Sequence, residues 1–242
     1  MAHPALARKW EERRAHRAAN VADVLDLLRP HLRIPLEEAR TLDMGCGTGV
    51  LSVAASRFVR SVVAVDSDPR LLGSARAWAE REGRANVTFV ESSLLDLPAD
   101  SFDLVICSDV IEHVDDPDGV AAAIGRSLAP DGVYYLTTNN RWWPMEGHFG
   151  LPLLSWLPRP WADRYVRFMG RGSRYDIFPL SLAEVTGLLS RHRLTWTLVP
   201  PLRPHTRLYR LGKWLVERDP RWWKAANAFQ IVGRKRESAA SL

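Results

Sequence analysis

The chain has 242 residues, of which 46% are hydrophobic and 25% are charged, and its formal net charge is +5. These values are ordinary for one large folded domain with a real core, and the arginine-rich surplus of charge is no evidence for nucleic-acid binding. The two cysteines, Cys46 and Cys107, have no disulfide or metal-binding spacing, and neither a signal peptide nor a membrane-spanning run is apparent. We therefore expect a cytoplasmic protein with a single domain over residues 1–242.

Strand-like and helical segments alternate along the chain. The first 30 residues form a predicted helical segment, in which apolar residues recur at helical spacing until Pro30. Alternation of this kind indicates a parallel sheet with helices on both faces. The predicted strands lie near residues 41–44, 62–66, 87–91, 102–107, 132–138, 194–199 and 229–234, and the predicted helices lie near residues 48–58, 69–82, 118–128 and 181–191.

The first predicted strand runs into a glycine-rich turn. Gly45, Gly47 and Gly49 allow a sharp turn and the close approach of a ligand to main-chain N–H groups, and a helix is predicted to begin at residue 48 or 49. The next apolar strand ends at Asp66, about 20 residues further on. This is the order of a nucleotide-binding βαβ unit in which a carboxylate holds ribose hydroxyls.

The spacing of the glycines indicates which nucleotide is bound. A dinucleotide fingerprint requires a glycine where this chain has Val50, and the carboxylate of Asp43 would repel a pyrophosphate. S-adenosylmethionine (SAM) has no phosphate and carries an ammonium and a sulfonium, which a carboxylate favours. The chain closely resembles the Rossmann-like SAM-dependent methyltransferases. The resemblance implies an α/β, doubly wound, mostly parallel seven-stranded sheet with an antiparallel last strand and helices on both faces.

Further segments resemble the same family in the family's order, at residues 66–69, 93–98, 102–114 and 128–136. The resemblance is dense over residues 36–140. It implies that Asp43 meets the methionine ammonium and that Asp66 binds the ribose. Relatives usually carry an aspartate at the adenine position, where this chain has Ser93, so Ser93 or the backbone of Leu94 would take over that contact. The expected SAM-binding residues are Asp43, Gly45, Cys46, Gly47, Gly49, Asp66, Ser67, Ser93, Leu94, Cys107 and Ser108.

Two histidines are candidates for the base that a hydroxyl acceptor needs. His113 follows the fourth strand, beside the expected methyl position. His148 lies in a segment, residues 139–148, that resembles a motif of some bacterial methyltransferases of glycan or natural-product pathways. The same segment supplies Arg141, Trp142 and Glu146 as candidate substrate-binding residues. Each histidine has the alternative of merely supporting its loop.

The sequence assigns no metal, but one possibility stays open. Asp109, Glu112 and His113 match, with Asp in place of Glu, an acidic run of quinone-type O-methyltransferases for which a divalent ion has been proposed. Carboxylate oxygens with one imidazole suit Mg²⁺ or Mn²⁺.

Two stretches exceed the minimal fold. Residues 140–179 leave the carboxyl end of the fifth strand, where ligands bind in such sheets, and are a candidate substrate cap. Residues 200–224 interrupt the last hairpin. They include a basic amphipathic stretch, residues 207–218, for which peripheral membrane contact and packing against the domain or a partner subunit are alternatives.

Three functions compete. The leading one is methylation of a small molecule, most readily at a hydroxyl of a sugar, quinone, polyketide or lipid-linked intermediate. The second is nucleic-acid or protein methylation. The subclass that methylates planar amino groups is disfavoured, because residues 107–110 read Cys-Ser-Asp-Val and not Asn/Asp-Pro-Pro-Tyr/Phe. The third is a non-catalytic scaffold with the same fold. The oligomeric state is left open.

Overall fold

A computed structural model describes residues 21–94, 96–200, 214 and 217–236. Seven strands form one sheet, namely β1 (Arg40–Met44), β2 (Ser61–Asp66), β3 (Val87–Glu91), β4 (Phe102–Ser108), β5 (Leu128–Asn139), β8 (Thr197–Leu198) and β9 (Ala228–Arg234). Their order across the sheet is β3-β2-β1-β4-β5-β9-β8. Neighbours among β1 to β5 pair in parallel, and β9 is antiparallel to both β5 and β8. This confirms the predicted fold class. A separate hairpin consists of β6 (Met145–Glu146) and β7 (Leu151–Pro152).

Helices cover both faces of the sheet. Successive residues of β4 point to opposite faces, so that Leu104 and Ile106 join one core cluster while Val105 and Cys107 join the other. Strands buried on both sides read as continuous apolar runs, which is why the central strands were predictable. The helices are α1 (residues 21–28), α2 (Val50–Ala55), α3 (Pro69–Arg81), α4 (Pro117–Ser127), α5 (Arg159–Phe168) and α6 (Leu182–Arg191), with short 3₁₀ turns at Arg29–His31, Leu36–Glu38, Ile111–His113, Leu154–Trp156 and Pro220–Ala225.

The ends of two helices test the sequence predictions closely. Helix α6, predicted near residues 181–191, begins with a capping box, in which the Ser181 hydroxyl accepts from the Glu184 N–H and the Glu184 carboxylate accepts from the Ser181 N–H. Helix α2 begins at Val50, later than predicted. Gly49 takes a left-handed φ of 73°, so the turn continues through it and the helix can start only afterwards.

The edge strand β8 is shorter than predicted, with two residues where six were expected. The Thr195 carbonyl accepts a hydrogen bond from the Tyr134 hydroxyl at 2.7 Å and leaves the regular ladder. A Cβ on Gly233 would lie 1.9 Å from that carbonyl oxygen, so only glycine fits beside the Thr195 carbonyl. The predicted pairing with the last strand is nonetheless present.

Residues 140–179, hereafter the cap, form a small layer with a core of its own. They contain the β6–β7 hairpin and α5, which pack around buried apolar side chains separate from the two sheet clusters. None of the described helices is long and apolar enough to cross a membrane. Most of the stretch 207–218 lies outside the described residues, as do residues 1–20 of the N-terminal segment. The core residues of the cap are Leu151, Leu154, Ala162, Val166, Tyr175 and Ile177.

Candidate active site

The three glycines after β1 lack side chains for different reasons. All three have positive φ. A Cβ on Gly45 would lie 2.6 Å from Val110, and one on Gly49 would lie 2.8 Å from Ala75, so both positions are filled by neighbouring side chains. A Cβ on Gly47 would meet no atom within 4 Å. Gly47 therefore keeps open space beside the loop, as expected where a ligand approaches the backbone.

Asp43 is buried at the end of β1, where it is 2% exposed. The Ser52 hydroxyl of α2 donates to its Oδ2 at 2.5 Å. Burial raises the pKa of Asp43 to about 7, against the opposing effect of the Ser52 hydrogen bond. Because burial deprives the Asp43 carboxylate of water, a cation beside it would stabilise its charged form. The methionine ammonium is the predicted cation.

Asp66 holds the glycine loop at the end of β2. Its Oδ2 accepts from the Gly47 N–H at 2.8 Å and its Oδ1 accepts from the Asp68 N–H at 2.9 Å. Each carboxylate oxygen can accept a second hydrogen bond, so capacity for ribose hydroxyls remains. Asp66 therefore both shapes the loop and stays the predicted ribose ligand.

A cavity of about 560 Å³ opens at the carboxyl ends of β1, β4 and β5. This volume lies in the range of about 300–1,000 Å³ typical of small-molecule sites. Seven residues predicted from the sequence line it, which are Asp43, Gly45, Cys46, Gly47, Ser108, His113 and His148. Thr48 and Asn139 also line it and were not predicted from the sequence, although Asn139 ends β5 at the edge where ligands bind. Asp109 lines it too, and the sequence suggested it only as a possible metal ligand.

The other predicted site residues lie elsewhere. Gly49 packs against α3, and the Cys107 side chain is fully buried. Ser67 and Ser93 are exposed. Leu94 packs against the sheet core. Arg141 and Trp142 line a second cavity on the cap, and Glu146 contacts His148.

The two candidate bases both line the cavity and are in direct contact with each other. Their rings meet edge to face, with centroids 4.9 Å apart and an interplanar angle of 89°. The Nδ1 atom of His148 lies 2.8 Å from Oε1 of Glu146, whose other oxygen accepts from the Phe149 N–H. Glu146 is 4% exposed. A buried carboxylate thus fixes the orientation of the His148 ring.

The two imidazoles are shifted in opposite directions. The Glu146 hydrogen bond raises the pKa of His148, while burial followed by the nearby His148 charge lowers the pKa of His113. Glu146 itself is held ionised, because its hydrogen bonds from His148 and Phe149 outweigh burial and lower its pKa. Near neutral pH, His113 is therefore the more readily neutral of the pair.

Glu112 fixes the loop that carries His113 to the end of β5. It is 0% exposed, and its carboxylate accepts from the Thr138 hydroxyl at 3.0 Å and from the Asn139 amide at 2.9 Å. Burial raises its pKa. Its backbone carbonyl accepts from the Phe178 N–H at 2.7 Å, which ties this loop to the end of the cap.

Three side chains of this group could also hold a divalent ion. Ligand atoms of Glu112, His113 and His148 lie within 4.8 Å of one another. The set differs from the one considered from the sequence, since Asp109 is replaced by His148. Metal–ligand bonds near 2.1 Å require these atoms to approach further, so the present arrangement fits an ion only after a small adjustment.

Comparisons with known proteins agree with this geometry. Residues 42–136 match the family model described as a methyltransferase domain. A ubiquinone biosynthesis O-methyltransferase of Xanthomonas campestris pv. campestris is 40% identical over 184 residues, which cover 73% of this chain and 73% of that protein. The chain belongs to the Rossmann-like SAM-dependent methyltransferases.

Other relatives of this methyltransferase extend the comparison. A ubiquinone biosynthesis O-methyltransferase of Xanthomonas oryzae pv. oryzae is 36% identical over 165 residues, and the match covers 67% of this chain but only 65% of that protein. The fold is also similar to that of magnesium protoporphyrin IX methyltransferase from Synechocystis, solved with bound S-adenosylhomocysteine (SAH), at a TM-score of 0.59 and 17% identity, covering 91% of this chain and 83% of that one.

Proposed function

We propose that this methyltransferase moves the methyl group of SAM onto a hydroxyl of a small molecule. The relatives' activity in ubiquinone biosynthesis supports a phenolic hydroxyl on a quinone-type ring as the acceptor. The observation that carries the proposal is the Glu146–His148 pair beside the glycine loop, because methyl transfer to a hydroxyl needs a base that takes the hydroxyl proton, and an oriented imidazole can serve as one.

The residues at the glycine loop would hold the donor. SAM supplies an activated methyl on a sulfonium, so the protein mainly positions the reactants and excludes water. Asp43 pairs with the ammonium, and ionisation of its carboxyl is favoured once that cation is present. Asp66 accepts from the ribose hydroxyls, and Gly47 leaves the room that the bound molecule occupies.

His148 acts as the general base in this proposal. Its Nδ1–H points to Glu146, which leaves Nε2 to take the proton of the acceptor hydroxyl as the oxygen attacks the methyl carbon. His113 stays neutral and packs against the base, edge to face. The imidazolium that forms on His148 is stabilised by the Glu146 carboxylate, in the manner of other carboxylate-oriented histidines.

The test replaces His148 with glutamine. We expect SAH affinity to be unchanged and turnover to fall by about 10²–10⁴-fold, the usual contribution of a general base. The matched control is His192→Gln, because His192 also pairs with a carboxylate, Asp118 at 2.9 Å, but lies away from the cavity. Equal turnover in the two variants would remove His148 from the mechanism.

A divalent ion on Glu112, His113 and His148 is the second candidate, favoured by the clustering of their ligand atoms. An ion there would lower the pKa of the acceptor hydroxyl and replace the base. Chelation distinguishes the two mechanisms. Full turnover in EDTA supports the base, whereas loss of turnover that Mg²⁺ restores supports the ion.

We further propose that the protein works in the cytoplasm on a small molecule and not on nucleic acid. The cavity supports a small-molecule substrate, since it is an open pocket of small-molecule size at the carboxyl ends of β1, β4 and β5. Peripheral membrane contact through residues 207–218 stays a prediction.

A further inference from the structure

A second cavity, of about 370 Å³, lies on the cap and does not include the histidine pair. Its walls come from the first residues of the cap, from the 3₁₀ turn before α5 and from the end of the cap. Two arginines and several aromatic rings face it. These are Arg141, Trp142, Trp156, Arg159, Tyr175 and Phe178.

Arg159 is a fixed positive charge in this cavity. Its guanidinium carbon lies 3.6 Å from the centre of the Phe178 ring and 5.5 Å from that of Tyr175, and its Nη1 donates to the Tyr175 carbonyl. Among the described residues, no carboxylate forms an ion pair with it. Arg141 differs, because it pairs with Glu184 at 2.8 Å. A stacked, planar guanidinium without an acidic partner is well suited to a carboxylate or a phosphate.

Two tryptophans add an apolar surface next to this charge. The rings of Trp142 and Trp156 lie 6.3 Å apart at an angle of 63°. They are 54% and 47% exposed, although burial is the usual fate of so large an apolar side chain. Exposed indole rings that line a concave site are suited to contact with a flat ring.

The two cavities are close enough for one molecule to reach both. Asn139 lines the first cavity and Trp142 the second, and three residues of extended chain span at most about 11 Å. A smaller space of about 40 Å³ shares Asn139 and Gly147 with the first cavity and Ser155 and Pro179 with the second.

We infer that the second cavity binds the far end of the methyl acceptor, namely a carboxylate or phosphate carried on a flat ring, with Arg159 as the anion-binding residue. The inference rests on the proposed function, because the acceptor hydroxyl has to lie at the histidine pair while the acidic end lies on the cap. The acceptor class is thereby narrowed to acidic, elongated molecules.

The experiment measures the binding of phenyl phosphate, benzoate and uncharged benzyl alcohol by ligand-observed NMR. We expect the anions to bind the wild type, and the tighter of the two identifies the acidic group. Arg159→Gln should weaken anion binding at least about tenfold, the loss expected for a charge-assisted hydrogen bond. The control is Arg164→Gln, which removes a charge from the exposed face of the same helix, over Trp161, and should bind as the wild type does.

A second variant guards against a folding defect in Arg159→Gln. Trp156→Ala should weaken binding of phenyl phosphate while leaving that of inorganic phosphate unchanged, and thermal unfolding shows whether each variant is folded.

The inference is overturned if folded Arg159→Gln binds both anions as tightly as the wild type, or if benzyl alcohol binds as tightly as the anions. SAH binding is measured in parallel. Wild-type protein that binds the anions through Arg159 but not SAH would refute the proposed function and leave the anion site intact.

Discussion

At the scale of single residues, Gly47 has the clearest relation to the ligand. Gly47 and Gly83 share a left-handed φ, of 53° and 63°, and a Cβ at either would meet no protein atom within 4 Å. A side chain therefore causes similar backbone strain at both, of about 1–2 kcal/mol. Of the two glycines, only Gly47 lines the cavity.

We expect Gly47→Ala to weaken SAH binding by about 1–3 kcal/mol, the usual cost of overpacking. Gly83→Ala should retain wild-type affinity while losing the same stability. Calorimetric titration with SAH measures both. Identical affinities for the two variants would show that the space beside Gly47 is not used by the ligand.

The pH dependence of turnover tests Glu146, whose hydrogen bond is the main cause of the raised pKa of His148. A general base works in its neutral form, so turnover should rise with pH through that pKa. Glu146→Gln removes the carboxylate and should lower the pKa of His148. The acidic limb of the pH–rate profile should then move to lower pH, and the plateau should drop because the ring is less well oriented. An acidic limb that stays in place would exclude His148 as the titrating group.

At the scale of the elements, the accuracy of sequence prediction depends on how each element is buried. The central strands were located within a few residues, since burial on both faces makes them continuous apolar runs. The length of the edge strand β8 was overestimated. The Tyr134 hydroxyl donates a hydrogen bond to the Thr195 carbonyl, which the apolar pattern had assigned to the ladder between strands. That contact joins residues distant in sequence and leaves no local signal.

The cap is an element that should open independently of the sheet, because it has its own core. Leu154 in the cap and Leu189 on α6 are both 0% exposed. Each change to alanine should cost about 2–5 kcal/mol. We expect Leu154→Ala to increase hydrogen exchange in residues 145–178 and reduce turnover, with SAH binding retained. Leu189→Ala should lower the stability of the whole domain. Equal exchange across the sheet and the cap in Leu154→Ala would contradict an independent cap.

At the scale of the whole molecule, topology explains where the site is. The strand order departs from β1 in two directions, toward β2 on one side and β4 on the other, and ligands bind at such a switch point outside the carboxyl ends. The glycine loop follows β1 and the His113 loop follows β4, and these strands are neighbours in the sheet. The sequence motifs were therefore enough to predict that the two loops share one site. His148 joins them from the cap.

Other parts of the site could not be read from the sequence. Arg159 was missed because a single arginine among many carries no motif, and its position over Phe178 depends on the folding of the cap. Glu146 was expected to meet the substrate, and its contact with His148 supports a role as the residue that orients the base. Ser93 departs from the family pattern, and neither Ser93 nor Leu94 lines the cavity, so the adenine contact stays a prediction.

We propose that the donor binds at the glycine loop with its sulfur directed at the histidine pair. A crystal structure with SAH tests it most directly. We expect the ammonium to lie at Asp43, the ribose hydroxyls to lie at Asp66 and the sulfur to face His148 across the cavity. SAH bound elsewhere, or with its sulfur turned away from both histidines, would contradict it.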